Sequence, residues 1–218
     1  MIHNLTDTDS ILHQFLGELR DHKIQTDRMR FRKNVERIGN IMAYEVSKFF
    51  NYSDRAIETP LGATTFREAE NRIVLATILR AGLPFHHGFL QFFDNADNAF
   101  VAALRRHHKD GSFYIKADYI TTPNLDNCIL IIVDPMLATG ASIKTSVELL
   151  LEHGTPKEIH VATIIASTDG VQYIRREFPK AHIWAGAIDE ELTGKSYIVP
   201  GLGDAGDLAY GPKEKSDD

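Results

Sequence analysis

The chain has 218 residues, of which 43% are hydrophobic and 25% are charged. This balance is too apolar for intrinsic disorder, and the length allows a large core in one domain or in two small ones. Cys128 is the one cysteine, which excludes an intramolecular disulfide framework and a cysteine-based zinc cluster. With 24 basic and 30 acidic side chains the net charge is -6, which argues against a general nucleic-acid binder but leaves room for a local basic pocket.

Neither a targeting signal nor a membrane segment is expected. The first ten residues carry acidic side chains and lack the apolar stretch of a secretory signal. The longest strongly apolar run, Cys128–Val133, is far too short to cross a bilayer. We therefore expect a soluble, cytoplasmic protein with no membrane partner.

Two helices are predicted before the chain changes character. Apolar residues recur at helical spacing over 8–21 and over 27–50, where Asp27 can cap the helix start. The second helix carries an apolar stripe that is either core or a subunit contact: Phe31, Val35, Ile38, Met42, Val46 and Phe49. Residues 56–60 are predicted to be extended, because the final proline disfavours helical backbone in the residue before it.

From residue 73 onward, strands alternate with helices. The predicted strands are 73–79, 98–104, 113–120, 128–133, 160–166 and 183–187, and the predicted helices begin at Pro84 or span 143–152 and 171–178. This alternation predicts an α/β fold with a parallel sheet flanked by helices. A turn at 107–112 joins two strands into a β-hairpin. We expect one domain over 1–218, with a helical extension (1–52), an α/β core (53–211) and a frayed tail (212–218).

The loop after strand 128–133 has the composition of a phosphate site. It reads Asp-Pro-Met-Leu-Ala-Thr-Gly-Ala-Ser over 134–142 and leads into a helix, so backbone N–H groups, hydroxyls and a positive helix end meet there. Asp134, at the strand exit, suits sugar hydroxyls or a developing positive charge. An ordinary strand–helix turn capped by Ser or Thr fits the same residues. A nucleoside-triphosphate P-loop is disfavoured because its Gly-x-x-x-x-Gly-Lys pattern does not occur.

A glycine-rich segment near the C-terminus formally matches a dinucleotide fingerprint. Gly201, Gly203 and Gly206 have Gly-x-Gly-x-x-Gly spacing. A dinucleotide site needs a following strand–helix–strand unit, and twelve residues remain after Gly206. The segment is therefore either a flexible turn or a tight backbone loop that a flat ligand approaches closely.

Four stretches together resemble uracil phosphoribosyltransferases. The loop 134–142 resembles the family's phosphoribosyl-pyrophosphate (PRPP) motif, and 58–61, 78–83 and 197–207 resemble three further motifs. The resemblance covers about residues 20–211 in the family's order. It implies a type I phosphoribosyltransferase fold with a β-hairpin arm, and the transfer of a phosphoribosyl group from PRPP to uracil.

The resemblance also implies roles for individual residues. The PRPP contacts are expected from Arg80, Arg105, Asp134, Pro135, Met136, Leu137, Ala138, Thr139, Gly140, Ala141, Ser142 and Asp204. Uracil is expected against the main chain at Ile198, Gly203, Asp204 and Ala205. Asp134 is the expected catalytic residue, and Lys116 is a weaker candidate for the pyrophosphate. Mg²⁺ is expected to bind through PRPP, with Asp204 reaching it through water.

Three stretches depart from the family pattern. Ala141 replaces a common glycine, which is tolerated if its φ is helical and harmful if its φ is positive. Arg106 stands where an acid is frequent, and residues 84–87 are larger than usual there.

Other reactive side chains have simpler interpretations. The pairs His86–His87 and His107–His108 could be metal ligands or surface histidines. We expect surface histidines, because adjacent side chains point to different faces of a regular element and so cannot bind one metal ion together. Cys128 is expected in the core, and Asp189–Glu191 in a solvated turn.

The expected activity is therefore uracil phosphoribosyltransferase: uracil and PRPP give UMP and pyrophosphate in pyrimidine salvage. Two alternatives remain: a non-catalytic regulator that senses PRPP or a nucleotide, and a phosphoribosyltransferase for another base. The family forms dimers or larger homo-oligomers, and GTP activates some members. A nucleic-acid partner is not expected.

Overall fold

The computed structural model describes the backbone of residues 1–107 and 113–213 and the side chains of 1–102 and 119–213. The strands are β1 (Ile2–Asn4), β2 (Tyr52–Thr59), β3 (Gly62–Ala69), β4 (Ile73–Leu79), β5 (Asp97–His107), β6 (Phe113–Thr121), β7 (Ile129–Val133), β8 (Met136–Leu137), β9 (Glu158–Ser167), β10 (His182–Asp189), β11 (Glu191–Leu192) and β12 (Ile198–Val199). The α-helices are α1 (Leu12–Arg20), α2 (Arg28–Ser47), α3 (Leu83–Leu90), α4 (Ala141–Leu151), α5 (Thr168–Glu177) and α6 (Ala205–Tyr210).

A central sheet runs in the order β1-β10-β9-β7-β4-β5-β6, and β8 pairs with β9. Its neighbours are parallel except for β6, which runs antiparallel to β5 as the predicted hairpin requires. The predicted α/β fold with a parallel sheet flanked by helices is confirmed, and the predicted elements from residue 73 onward agree with the structure to within a few residues. Residues 108–112 of the predicted turn lie outside the described part of the chain, as do residues 214–218 of the predicted tail.

Strand β7 shows how the sheet is buried on both faces. Ile129, Ile131 and Val133 pack in the cluster that contains the apolar residues of α1, α2 and α3. Leu130 and Ile132 pack with those of α4 and α5. Because side chains alternate along a strand, a continuous apolar run is needed where both faces are covered. Strands β7 and β4 therefore lie in the middle of the sheet with both faces covered.

The apolar stripe of α2 belongs to the core of this chain. Phe31, Val35, Ile38, Met42 and Val46 are at most 2% exposed and pack on the sheet, whereas Phe49 is 43% exposed. The five buried residues of the stripe are therefore core residues of this chain, and their burial does not require a contact with another subunit.

The first 52 residues are more than a helical extension. Strand β1 pairs with β10 at the edge of the central sheet, and the amino group of Met1 donates to the Ala181 carbonyl at 2.9 Å. The sequence pattern missed β1 because three residues are too short to show alternation.

Strands β2 and β3 form a separate antiparallel ribbon, of which the sequence predicted one extended piece. Nearly every residue of the ribbon is exposed, including Leu61 at its tip, which is 99% exposed. An exposed ribbon lacks the alternation of buried and polar positions by which strands are recognised.

Among the helices that the structure describes, none combines the length and the apolar composition that a membrane span requires.

Three histidines stack at the edge of the sheet formed by β1, β10 and β9. The rings of His160 and His182 lie 4.9 Å apart and nearly parallel, and His3 stacks on Trp184 at 3.9 Å. His160 is fully buried and its Nδ1 accepts a hydrogen bond from Trp184 Nε1 at 3.0 Å. Burial, and then repulsion from His182 and His3, lowers the pKa of His160 to about 3.

This lowered pKa predicts an acid-sensitive fold. Unfolded His160 takes up a proton below pH 6.5 and folded His160 does not, so its contribution to stability is complete above pH 6.5 and declines as the pH falls towards 3. His160→Gln keeps an acceptor for Trp184 and removes the titration. Between pH 7 and pH 4, the free energy of unfolding of the wild type should fall by roughly 3 kcal/mol more than that of the variant.

Urea unfolding at several pH values measures this difference. His153→Gln, at an exposed position, serves as the control and should follow the wild type. If the free energy of unfolding changed with pH in the same way in the wild type and in His160→Gln, the lowered pKa of His160 would be contradicted.

Candidate active site

A cleft of about 430 Å³ opens beyond the carboxyl ends of β4 and β7. This is where ligands bind in open parallel sheets. Nine of the sequence-predicted site residues line it: Arg80, Asp134, Met136, Ala138, Ser142, Ile198, Gly203, Asp204 and Ala205. The structure thus brings together segments more than 120 residues apart in the sequence. The side chains of Arg105, Arg106 and Lys116 lie outside the described part of the structure.

The phosphate loop is held by its own backbone and by β9. The Asp134 N–H donates to the Ala162 carbonyl at 3.1 Å, and the Pro135 carbonyl accepts from Ile164 and Ile165 at 3.1 and 3.0 Å. Pro135 and Leu137 are buried, so they shape the loop from behind instead of lining the cleft. Strand β8 was not predicted, because two residues inside a loop carry no periodic signal.

Helix α4 begins at Ala141, directly after the loop. Gly140 has a φ of 83°, and among the described non-glycine residues positive φ occurs at Asn127 and Ser196 and not at Ala141. The left-handed position is therefore filled by Gly140, and the alanine at 141 is tolerated. The N–H groups of the first turn have no partner within the helix and point towards its N-terminal end, where Ser142 lines the cleft. These N–H groups can donate to a phosphate.

A second helix packs against the back of this loop. Ser167 caps α5 by accepting from Gly170 N–H at 2.9 Å, and its hydroxyl donates to the Ala138 carbonyl at 2.5 Å. A Cβ on Gly170 would overlap the Ala138 carbonyl oxygen and lie 2.8 Å from that of Leu137. Residue 170 therefore has to be glycine for the loop to keep this position.

Two acidic residues line the cleft, Asp204 and, at the exit of β7, Asp134. Asp134 Oδ1 accepts from the Met136 N–H at 3.4 Å. Although part of its surface faces the cleft, burial among the strand ends raises the pKa of Asp134 to about 7, and the Met136 hydrogen bond opposes this only partly. A carboxylate with so little solvation is suited to stabilise a nearby positive charge.

Arg80 follows β4 and is engaged by the C-terminal segment. Its Nη2 donates to Asp207 Oδ1 at 3.1 Å, and Nη1 approaches the Gly211 carbonyl at 3.5 Å. Its Nε is buried and has no partner among the described residues. The Leu79–Arg80 peptide bond is cis. Gly82 follows closely, and a Cβ there would overlap Thr77 Oγ1.

The glycine-rich segment forms the opposite wall of the cleft. Ile198 is buried in β12, the Val199–Pro200 peptide bond is cis, and Gly201 and Gly203 have φ values of 55° and 93°. Asp204 caps α6 by accepting from the Asp207 N–H at 2.9 Å. The segment is a turn into a helix, and α6 was missed because six residues show less than two helical turns.

Eight further residues of the lining were not predicted as site residues: Ile78, Leu79, Ala81, Lys195, Ser196, Tyr197, Gly206 and Lys213. Five of these residues lie in the family-like stretches 78–83 and 197–207, whereas no residue pattern indicated that Lys195, Ser196 and Lys213 face the same cleft.

Two predictions about side chains outside the cleft are wrong. His86 was expected at the surface and is 4% exposed, because α3 packs it against Phe100 with ring centroids 5.3 Å apart. Asp189 was expected in a solvated turn and is 8% exposed, because it forms an ion pair with Arg20 at 2.7 Å. Burial of Cys128 in the core is confirmed.

Comparison with known proteins gives the family. The uracil phosphoribosyltransferase family model matches residues 6–212. A uracil phosphoribosyltransferase from Porphyromonas gingivalis is 53% identical over 205 residues, which cover 94% of this chain and 95% of the relative. A solved structure of a protein from Aquifex aeolicus superposes with a TM-score of 0.87 at 31% identity, covering 97% of this chain and 98% of that one.

A more distant structure supports the fold alone. A hypoxanthine phosphoribosyltransferase from Staphylococcus aureus has a TM-score of 0.51 at 14% identity, covering 74% of this chain and 76% of that one. The resemblance stated from the four motifs is confirmed by the family match over nearly the whole chain. The chain belongs to the uracil phosphoribosyltransferase family.

Proposed function

We propose that this chain transfers the phosphoribosyl group of PRPP to N1 of uracil, giving UMP and pyrophosphate. The observation that carries the proposal is that residues of the phosphate loop, Asp134 and the glycine-rich segment line the same cleft. A ligand with a phosphate at one end and a flat base at the other matches these two walls. The C1–O bond to pyrophosphate breaks as the C1–N1 bond forms, and the N1 proton leaves to solvent or to pyrophosphate.

The 5′-phosphate would lie on the start of α4. Ala141 and Ser142 provide N–H groups of the first helical turn, and the hydroxyls of Thr139 and Ser142 lie in the same loop, where Ser142 lines the cleft. Thr139 Oγ1 accepts from the Ala141 N–H at 3.4 Å, so its hydroxyl hydrogen remains for a phosphate oxygen.

Asp134 would hold the ribose hydroxyls and oppose the positive charge that develops at C1. The reaction passes through an oxocarbenium-like state, and an ionised carboxylate in a poorly solvated position stabilises such charge strongly. The raised pKa of Asp134 means that ionisation is incomplete near neutral pH until a cationic partner enters the cleft.

Arg80 would neutralise the leaving pyrophosphate, and Arg105 remains a predicted second contact. To reach the ligand, the Arg80 guanidinium would exchange Asp207 for phosphate oxygens, which accept its planar fork in bidentate fashion. Because Asp207 lies on α6, this exchange would also change the contact between β4 and the glycine-rich wall.

The donors in the cleft fit Mg²⁺ held mainly by the substrate. Mg²⁺ keeps several waters and is bound through one or two carboxylates plus substrate phosphates, and Asp204 provides a carboxylate in the lining. When bound, the ion neutralises charge on the pyrophosphate. Asp204 would hold it through water.

Uracil would be read by main-chain groups of Ile198, Gly203, Asp204 and Ala205. The edge of uracil offers two carbonyl acceptors and a ring N–H donor, which peptide N–H and C=O groups match. Cytosine would place an amino donor opposite a donor and leave groups unpaired, which costs about 1–3 kcal/mol. Asp204 and Ala205 are at the start of α6, so their N–H groups are not used within the helix.

The protein would act in the cytoplasm as a homodimer or larger homo-oligomer, with GTP as a candidate activator. The exposed ribbon β2–β3 supports an oligomer, because isolated two-stranded hairpins are marginally stable in water. A sizing measurement and an assay with and without GTP test these two points.

The reaction is tested with labelled uracil, PRPP and Mg²⁺, followed by detection of UMP. We expect turnover with uracil and, from the unpaired groups described above, at least about tenfold lower kcat/KM with cytosine; hypoxanthine and xanthine complete the panel of bases. Folded protein that forms no nucleotide from any base would contradict an enzymatic function. Turnover with another base alone would contradict the choice of uracil.

A further inference from the structure

An ion pair between the first helix and the last long strand lies behind the glycine-rich wall. Arg20, at the end of α1, donates from Nη1 and Nη2 to the two oxygens of Asp189 at 2.7 and 2.8 Å. Asp189 is the last residue of β10 and is 8% exposed. The residues are 169 positions apart, and neither lines the cleft.

Both members of this pair also hold the backbone of Gly201. The Gly201 N–H donates to Asp189 Oδ2 at 2.9 Å, and the Gly201 carbonyl accepts from Arg20 Nη1 at 3.0 Å. Burial opposes ionisation of Asp189, but the hydrogen bonds from Arg20 and Gly201 outweigh it and hold its pKa below the usual value. Charge-assisted hydrogen bonds of this kind are about twice as strong as neutral ones.

The backbone around Gly201 connects these hydrogen bonds to the residues that would contact uracil. Gly201 has a φ of 55°, and a Cβ there would overlap the Ile198 carbonyl oxygen, so the chain folds tightly back on Ile198. Strand β12, which contains Ile198, pairs with β11, and β11 begins two residues after Asp189. Gly203 lies two residues after Gly201. The segment 198–203 is thus fixed at Gly201 by side chains and at β12 by β11.

We propose that Arg20 and Asp189 are positioning residues for the base: they set where the main chain of 198–205 meets uracil without touching either substrate. The proposal rests on the proposed function and on uracil binding to this wall. Recognition through peptide groups depends on backbone position within about 0.5 Å, so it needs an anchor outside the site. The phosphate loop is held separately by β9 and α5, and Asp204 would reach PRPP only through Mg²⁺ and water, so loss of the pair should raise KM for uracil more than KM for PRPP.

The test uses the whole 218-residue chain and begins with three variants that break the ion pair. Arg20→Met and Asp189→Asn each leave one partner without its counter-charge, which can destabilise the fold on that ground alone. The double variant Arg20→Met/Asp189→Asn removes both charges and avoids the unpaired ion. KM for uracil, KM for PRPP and kcat are measured for each, with melting temperature recorded in parallel.

We expect the double variant to raise KM for uracil about tenfold and to change KM for PRPP by less than about twofold. Backbone hydrogen exchange should accelerate in the peptide covering 198–206 and stay unchanged in β7. Arg20→Lys, which keeps the charge with fewer contacts, should restore part of the uracil affinity.

Arg30→Met is the matched control. Arg30 forms a similar two-contact pair with Glu18 on α1, at 2.8 and 2.6 Å, and makes no hydrogen bond to Gly201, whose side-chain partners are Arg20 and Asp189. It should leave KM for uracil unchanged.

Equal increases in both KM values, or a loss of stability with both KM values unchanged, would overturn the proposal. Failure of the wild type to use uracil would instead overturn the proposed function, so the two failures are distinguishable.

Discussion

Replacement of Asp134 with Asn is expected to lower kcat by roughly 10²–10³-fold while the fold remains intact. The variant keeps the shape of the side chain and an oxygen for the Met136 N–H, and it removes the charge that would oppose the developing cation at C1. Because the ionised form is poorly solvated where Asp134 lies, its removal should not lower the melting temperature.

The pH dependence provides a second readout of the same residue. The pKa of Asp134 is about 7 in the ligand-free protein, so kcat/KM for PRPP should rise as the pH increases through 7, where the carboxylate forms. Asp134→Asn should lack this rise. Asp97→Asn is the control, since Asp97 is a half-exposed carboxylate at the start of β5 that pairs with Arg72. Unchanged turnover in Asp134→Asn would remove this residue from the mechanism.

Replacement of Gly170 with Ala is expected to damage the phosphate loop from behind. The added methyl group would overlap the Ala138 carbonyl oxygen, and backbone cannot move aside as the end of a flexible side chain can. Overpacking of this kind destabilises the fold by about 1–3 kcal/mol. The displaced loop should also bind PRPP less well, and we expect KM for PRPP to rise at least about tenfold with a smaller change for uracil.

Gly17→Ala serves as the matched control for this substitution. Gly17 lies inside α1, and a Cβ there would meet no atom of the described chain within 4 Å. Because alanine favours a helix over glycine, this variant should be more stable by up to about 1 kcal/mol and fully active. A Gly170→Ala protein with wild-type KM for PRPP would show that the loop does not depend on its contact with α5.

The sequence predicted the central part of the site because local signals and fold rules coincide there. A continuous apolar run marks β7, a Thr-Gly-x-Ser segment marks the start of α4, and parallel sheets bind ligands at that edge. The roles of Arg80, Asp204 and the uracil-binding wall came from resemblance to the family, because a lone arginine or a glycine-rich turn has several ordinary structural interpretations. The sequence did not show whether residue 141 has a positive φ. In the structure Gly140 has the positive φ, so Ala141 is tolerated.

Features that depend on distant contacts could not be predicted. Asp189 is buried by Arg20 from 169 residues away, and His86 is buried by the packing of α3 on the sheet. Strand β1 forms because β10 offers an edge, and its own three residues carry no periodic signal. In each case tertiary contact outweighs local pattern.

The most direct test of the account is a crystal structure of this protein with UMP bound. We predict the phosphate on the N–H groups of 139–142, the ribose hydroxyls on Asp134 and the base against the main chain of 198–205. Another cleft, formed by 156–159 and 177–181, opens elsewhere on the molecule. UMP bound there, or a base that points away from Gly203, would contradict the assignment of the site.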